Sequence, residues 1–472
     1  MLKKLLPPLA VLIAVAFSSS CKKDCKDPLP EDRGGDTTYV QTTPWPKWVF
    51  QHWIWEGEGT TQSARQIVDD YLANNIPVDA IIIDSPWETA YNNFEWDSTL
   101  YPDAQGMIDY FHSKNIKVLC WITGSIDTSL HPLWDYAKDH NYFMQADANS
   151  GPAMVKWWKP VRTSPIDFFN PDAVAWWKGL MDKTLAYGID GWKCDGSDFL
   201  LYDVQSFKTY FYSPYMGTNI SRNDYSDRYY RLFHDYTRQK LGQDRVLMCR
   251  PVDNYGYTFL SGNLVEFGPK DISYAYWVGD QDATFDGMKA ALNNMYESGS
   301  SGYYSYGSDI GGYRTDNNYP FTGRSKELFI RWAQLGTFSG LMENGGGGEH
   351  RPWMFDQQTT DVYRNLVVMR NKYLVGYLME SMKKSVAQSK SLMLFFNKTD
   401  YSYMLGDDIY VAPVLGAAGN VTVNLPAGSN WVYLYDKTKV YEGGQSFSKT
   451  YPITEFPVYL RQGSKIAEGI EP

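Results

Sequence analysis

The sequence predicts an α/β protein: a (β/α)8 TIM barrel followed by a C-terminal all-β sandwich domain. Three observations carry this. From about Trp48 to Asn344, short apolar runs alternate with amphipathic helical segments, the pattern of a parallel sheet covered by helices. The runs number eight, as a closed (β/α)8 barrel requires. Six of the eight end in a charged residue: Asp84, Asp195, Arg250, Asp280, Asp309 and Glu343. A closed barrel gathers its C-terminal strand ends at one mouth, which an open doubly wound sheet, the structural alternative, does not.

The predicted strands are Trp48–Trp55, Val78–Asp84, Lys117–Thr123, Gly191–Asp195, Arg245–Arg250, Tyr274–Asp280, Gly302–Asp309 and Phe338–Glu343. Helical spacing is clear in Ala64, Ile67, Val68, Tyr71 and Leu72, and again in Met107, Ile108 and Phe111 after a Pro102-Asp103 start. Asn170-Pro171-Asp172 opens a further helix carrying Val174, Trp177, Leu180 and Met181, closed by Gly188. The long stretches Phe199–Gln243 and Pro251–Ser273 are expected as insertions walling the mouth. After about Ser385 the pattern becomes short strands with turn signals: Ser391–Phe396, Asp408–Val414, Asn420–Asn424, Trp431–Asp436 and Val458–Arg461. These read as a β-sandwich over residues 385–472, with the barrel over 45–384.

Ahead of the barrel, Lys3 and Lys4 precede an apolar stretch from Leu5 to Phe17, too short to span a bilayer as a permanent helix. Ser18, Ser19 and Ser20 then lead to Cys21, which resembles a bacterial lipoprotein signal with Cys21 lipidated; an ordinary cleaved signal peptide is the alternative. Residues 1–21 are thus expected to be the signal and the polar residues 22–44 a tether. The expectation is export and attachment to a membrane through a lipid anchor at Cys21, on the periplasmic or cell-surface side.

Composition narrows the functional classes. The 472 residues, 43% hydrophobic, make a large globular core, and a net charge of −10 argues against nucleic acid as a partner. Cys120, Cys194 and Cys249 fall in separate apolar strands and read as small core residues. No disulfide framework or CxxC spacing appears. The six histidines are scattered without HExxH, so no catalytic metal is expected. Aromatics reach 16%, with 17 Trp and 37 Tyr, which suits a sugar-binding surface as well as an aromatic core.

Asp195 and Asp280 each stand where an apolar strand emerges, a costly place for a carboxylate. Two carboxylates facing one bond are what glycoside hydrolysis needs, roughly 5–5.5 Å apart for retention of configuration. Lys193 lies two residues before Asp195 on the same strand face, so its charge favours an ionised Asp195, the nucleophile candidate. Trp277, Val278 and Gly279 give Asp280 a less polar setting that suits an acid. Two carboxylates held in structural ion pairs are the alternative reading.

Several blocks, in order, resemble glycoside hydrolase family 31, the α-glucosidase and α-xylosidase family. They are Ile76-Pro77-Val78-Asp79-Ala80 through Asp84 with Phe94-Glu95-Trp96-Asp97, Trp121-Ile122, Trp192-Lys193-Cys194-Asp195, and Tyr276-Trp277-Val278-Gly279-Asp280. Gly307-Ser308-Asp309-Ile310-Gly311-Gly312-Tyr313, Arg331 to Phe338, Val411-Ala412-Pro413-Val414 and Phe456 to Gly463 continue the series. The resemblance implies a (β/α)8 barrel, double displacement with retention and no cofactor. It implies Asp195 as nucleophile and Asp280 as acid/base, with Asp84, Arg250 and Asp309 holding the non-reducing sugar. Trp121, Trp192 and Trp277 become candidate sugar platforms or pocket walls, and Lys193 and Glu343 candidate substrate contacts.

The chain departs from the family pattern at three places. Glu343-Asn344-Gly345 stands where the family has Arg-Asn-His, with His350 nearby after a glycine run; Asp198 stands where a Glu is usual. Only a tether is expected where family members carry an N-terminal β-sandwich, so a more open mouth is expected. The functional expectation is an exported retaining exo-α-glycosidase acting on oligosaccharides or glycoconjugates, of α-galactosidase- or α-glucosidase-like specificity. An α-transglycosylase and a catalytically retired carbohydrate-binding protein are the alternatives.

Overall fold

Eight parallel strands form the barrel: β1 (His52–Glu56), β2 (Ala80–Ile83), β3 (Lys117–Ile122), β4 (Gly191–Cys194), β5 (Val246–Cys249), β6 (Ala275–Val278), β7 (Tyr306–Ser308) and β8 (Met342–Asn344). In this computed structural model they pair in the order β7-β6-β5-β4-β3-β2-β1-β8. A parallel bridge between Asp309 and Glu343 closes the ring, and Ile310 N donates to Glu343 O at 3.1 Å across the same seam. The open doubly wound alternative is thereby excluded. The structure describes residues 45–57, 59–157, 159–196, 210–255, 264–273, 275–315 and 324–472. The leader with Cys21, the tether and Asp198 lie outside the described residues.

The strands are almost wholly buried, Ile81, Ile82 and Ile83 completely, because helices cover one face and packed side chains the other. Three strands, β1, β7 and β8, start four residues later than expected. Trp48 to Phe50 belong to a 3-10 turn, Lys47–Phe50, entered from Pro46. Gly302, at φ +90°, and Phe338, a helix C-cap, belong to the connections before β7 and β8.

The barrel helices follow the capping logic of the sequence. α1 (Thr61–Ala73) has a Thr60/Ser63 capping box, α2 (Ala104–Ser113) is capped by Asp103, and α3 (Pro171–Leu185) by Asn170 with Pro171 in its first turn. One expectation is corrected after β4. Much of the supposed wall 199–243 is a regular barrel helix, α4 (Arg222–Leu241), capped by Ser221 and packed on α3 and β5. Its polar surface hid a stripe of Tyr225, Tyr229, Tyr230 and Phe233 at helical spacing. Between β5 and β6 the described residues form a two-stranded hairpin, Val252–Asp253 with Val265–Glu266. α5 (Phe285–Ser300), α6 (Lys326–Thr337) and α7 (Gln357–Met369) complete the ring, followed by α8 (Val375–Ala387).

The C-terminal domain holds a six-stranded antiparallel sheet, and Asn420–Asn424 pairs with Ser446–Thr450 in a second. The sheets meet through rings, with Phe447 stacked on Tyr441 at 5.0 Å and edge-on to Tyr459 at 6.0 Å. This domain props the closing seam from behind. Arg331 of α6 donates to the carbonyls of Tyr451 and Glu455, both at 2.7 Å, and Tyr403 donates to Phe338 O just ahead of β8.

Candidate active site

Strand alternation decides which side chains reach the barrel axis. On β4, Lys193 points inward: its ammonium lies 2.8 Å from Asp84 Oδ2, 4.6 Å from the Trp55 ring and 5.1 Å from the Trp277 ring. Its neighbour Trp192 must therefore point outward. The expectation that Trp192 walls the pocket is corrected: its indole N–H donates to Thr237 of α4 at 2.9 Å, and its ring packs against Phe94 and Phe233.

Arg250, just past β5, is the centre of the mouth. The guanidinium is buried between rings, 3.7 Å from the Tyr255 centroid and 4.6 Å from that of Trp277. Its Nε donates to Asp195 Oδ1 at 2.9 Å, its Nη2 to Asp280 Oδ1 at 2.9 Å, and its Nη1 to Asp253. Asp195 and Asp280 are thus separated by no more than one guanidinium edge and two hydrogen bonds. Asp195 also accepts from Trp121 Nε1 at 3.2 Å, from Gly196 N at 2.7 Å and from the Tyr255 hydroxyl at 3.4 Å. Asp280 sits in the left-handed region, φ +62°, with its backbone N–H aimed at Asp309 Oδ2 at 3.3 Å. A non-glycine residue there is held by its surroundings, and such positions concentrate at functional sites.

The two carboxyls have opposite proton affinities. Burial alone would raise Asp195, but the charge and hydrogen bond of Arg250, with help from Lys193, outweigh it and hold the group below the ordinary range. Burial also raises Asp280, and there the Arg250 contribution is insufficient; the negative charge of Asp195 pushes the same way, so Asp280 stays above its ordinary value. Asp280 is the more open of the two, with 27% side-chain exposure against 16% for Asp195. One ionised and one proton-retaining carboxyl around one space is the arrangement that nucleophile and acid require.

The other half of the mouth is built on Lys193. Asp84 accepts its ammonium and the Ser85 backbone N–H. Asp309 and Glu343, facing each other across the seam, are 1% and 0% exposed. Burial pushes Asp309 up to about 6 and Glu343 well above the carboxylate range, the second also through the charge of Asp309. Trp55 lies against this group with its ring stacked on Tyr313 at 5.9 Å, and Tyr313 is 38% exposed at the rim. Gly345 makes this possible: a Cβ there would lie 1.6 Å from Trp55 Nε1. His350 turns Nδ1 to the carbonyl of Gly348, and burial lowers its pKa to about 4.

The structure therefore brings together Asp84, Trp121, Lys193, Asp195, Arg250, Trp277, Asp280, Asp309 and Glu343, and leaves Trp192 outside. Sequence reasoning missed Asp253, Tyr255, Trp55 and Tyr313. An acid and an aromatic closely following Arg250 were a signal for the first two. Trp55 and Tyr313 needed the fold, because their partners come from β1 and from beyond β7. Among the described residues no group of His, Cys, Asp and Glu could hold a metal ion.

Comparison with known proteins agrees with this architecture. The sequence model described as the glycosyl hydrolases family 31 TIM-barrel domain matches residues 42–379, and that of the family's C-terminal domain matches 389–466. The chain belongs to glycosyl hydrolase family 31. Relatives within the family include an alpha-xylosidase of Emericella nidulans, 25% identical over 442 residues, covering 89% of this chain and 53% of the relative. A sulfoquinovosidase of Escherichia coli is 26% identical, covering 89% and 62%. This family 31 chain thus spans just over half the length of the alpha-xylosidase. Its fold is shared by a family 31 alpha-xylosidase from a soil metagenome solved with xylose, at a TM-score of 0.74, 21% identity, and coverage of 91% and 65%.

Proposed function

We propose that this protein is a retaining exo-α-glycosidase that removes terminal α-linked sugars from oligosaccharides or glycoconjugates. The observation that carries the reading is Arg250 binding two carboxyls whose proton affinities are shifted in opposite directions. Asp280 donates its proton to the glycosidic oxygen as Asp195 attacks the anomeric carbon; the bond to the leaving alcohol breaks and a glycosyl ester forms on Asp195. Asp280, now ionised, takes a proton from water, which attacks the ester and regenerates both groups with net retention. An acceptor alcohol in place of that water would give transglycosylation on the same residues, and an isomaltosyltransferase of Sporosarcina globispora is among the relatives. Intact Asp195, Asp280 and Arg250 count against a retired scaffold.

The charge of the pocket narrows the sugar. Asp84, Asp195, Asp253, Asp280, Asp309 and Glu343 surround two cations, Lys193 and Arg250, both already engaged by carboxylates. A sulfonated or carboxylated sugar would meet surplus negative charge, so a neutral sugar is the substrate class this reading supports. Glu343-Asn344-Gly345 argues against a clear preference for glucosides. The deciding experiment is turnover of a panel of aryl α-glycosides by the protein and by Asp195→Ala. Hydrolysis of a neutral member, lost in the variant, supports the reading; tight binding without turnover of any member supports the retired scaffold instead.

Export as a lipoprotein through Cys21 is part of the same proposal and rests on the leader pattern of the sequence. Among the described residues no helix is long and apolar enough to cross a membrane. Labelling of the expressed protein with a radioactive fatty acid, lost in Cys21→Ala, is the expected outcome; equal labelling of both would contradict it.

A further inference from the structure

The closing seam places two carboxyl groups where no cation bonds them. Asp309, just past β7, and Glu343 of β8 are bridge partners, their side chains within hydrogen-bond reach of each other. Among the described residues, Asp309 Oδ1 and both Glu343 oxygens are buried with no hydrogen-bond donor other than one of the two acids themselves. Around them stand Asp84, Lys193, Arg250 and Asp280 at the mouth, Arg324 ahead of α6 and Tyr363 of α7. Lys193 gives its short bond to Asp84, and the Arg324 nitrogens donate to backbone carbonyls, among them those of Gly311 and Gly312. Two like charges in contact at such a site cannot both persist, so the pair must carry a proton. Asp309 already accepts the Asp280 backbone N–H, an interaction that favours its ionised form. The proton therefore belongs on Glu343.

We propose that Glu343 is a positioning residue: protonated throughout turnover, it donates a hydrogen bond to Asp309, which accepts the Asp280 N–H and so holds the acid/base in its left-handed backbone conformation. Glu343 then acts through Asp309 and does not itself touch the sugar. The inference rests on the functional reading above for the role of Asp280, but the protonated state of Glu343 does not.

The test compares wild type, Glu343→Gln and Glu343→Ala. Glutamine can still donate to Asp309, whereas alanine cannot. With one neutral aryl α-glycoside, Glu343→Ala is expected to lower kcat by about tenfold or more, to change KM by less than about threefold and to displace the alkaline limb of the pH profile. Glu343→Gln should recover kcat to within about threefold of wild type with the limb restored. Infrared difference spectra at neutral pH should show the carbonyl band of a protonated buried carboxyl in wild type and its loss in Glu343→Gln. Glutamine as damaging as alanine, or no such band, would overturn the proposal. A wild type that turns over no α-glycoside would defeat the functional reading, while the band would still report the proton on Glu343.

Discussion

Arg250 and Lys193 each stand among three acids at the same barrel mouth, yet the two halves are built differently. Arg250 gives one arm to each of Asp195, Asp253 and Asp280, so every acid on that side has a donor. Lys193 makes its short bond to Asp84 alone and meets Asp309 and Glu343 only through space. The difference is one of cation shape. A planar guanidinium distributes directed bonds; an ammonium acts as a point charge. The half with directed bonds sorts its carboxyls into an ionised Asp195 and a proton-retaining Asp280. The other half resolves its surplus charge by keeping a proton at the seam.

Four variants or conditions probe this contrast. The largest effect is expected from Arg250→Lys, which keeps the charge and loses the fork. kcat/KM on the best aryl α-glycoside should fall by at least ~10³, about 4 kcal/mol of transition-state stabilisation. A loss under about tenfold would show that charge alone suffices and erase the distinction between the halves. Next, Gly345→Ala drives a Cβ into Trp55 and should displace the Trp55–Tyr313 stack on the Lys193 side. kcat/KM should drop by ~10–100-fold, with a change in tryptophan fluorescence; an unchanged enzyme would show that this wall is not used.

The two halves also differ in pH response. Carboxyls raised in the folded state contribute stability that is fully present below their ordinary pKa and is lost as pH rises through the folded value. For Asp309 that window runs from about 4 to about 6. Asp195, lowered by Arg250 against its burial, works in the opposite sense: its contribution is present above its ordinary range and is lost as pH falls through the folded value. Melting temperature should therefore decline from pH 4 to 6 more steeply in wild type than in Asp309→Asn, by up to about 3 kcal/mol of stability. Identical slopes would contradict the assignment. The smallest effect is expected outside the mouth altogether. Trp192→Phe loses the bond to Thr237 and should cost about 1 kcal/mol of stability with KM unchanged. A raised KM would return Trp192 to the pocket.

Much of this was legible in the sequence, for physical reasons. Parallel strands buried on both faces read as unbroken apolar runs, so charged residues at their ends stood out, and the two key aspartates with Arg250 could be marked before any fold was known. Trp192 was misplaced although the signal existed: two adjacent strand residues cannot both face the axis, and Lys193 already claimed it. Asp436–Tyr441 and Ser446–Thr450 passed unnoticed because they are mostly exposed and polar, with too few apolar residues to show an alternating pattern. The Asp309–Glu343 contact arises only at barrel closure, where the last strands meet, and no local pattern announces it.

The most direct test is to trap the covalent intermediate. A fluorinated glycosyl fluoride of the preferred neutral sugar slows hydrolysis of the glycosyl ester more than its formation, and peptide mapping by mass spectrometry locates the bound sugar. One sugar per chain is expected on Asp195, and none in Asp195→Ala. A label on another residue, or none while ordinary substrates are still hydrolysed with retention, would contradict it.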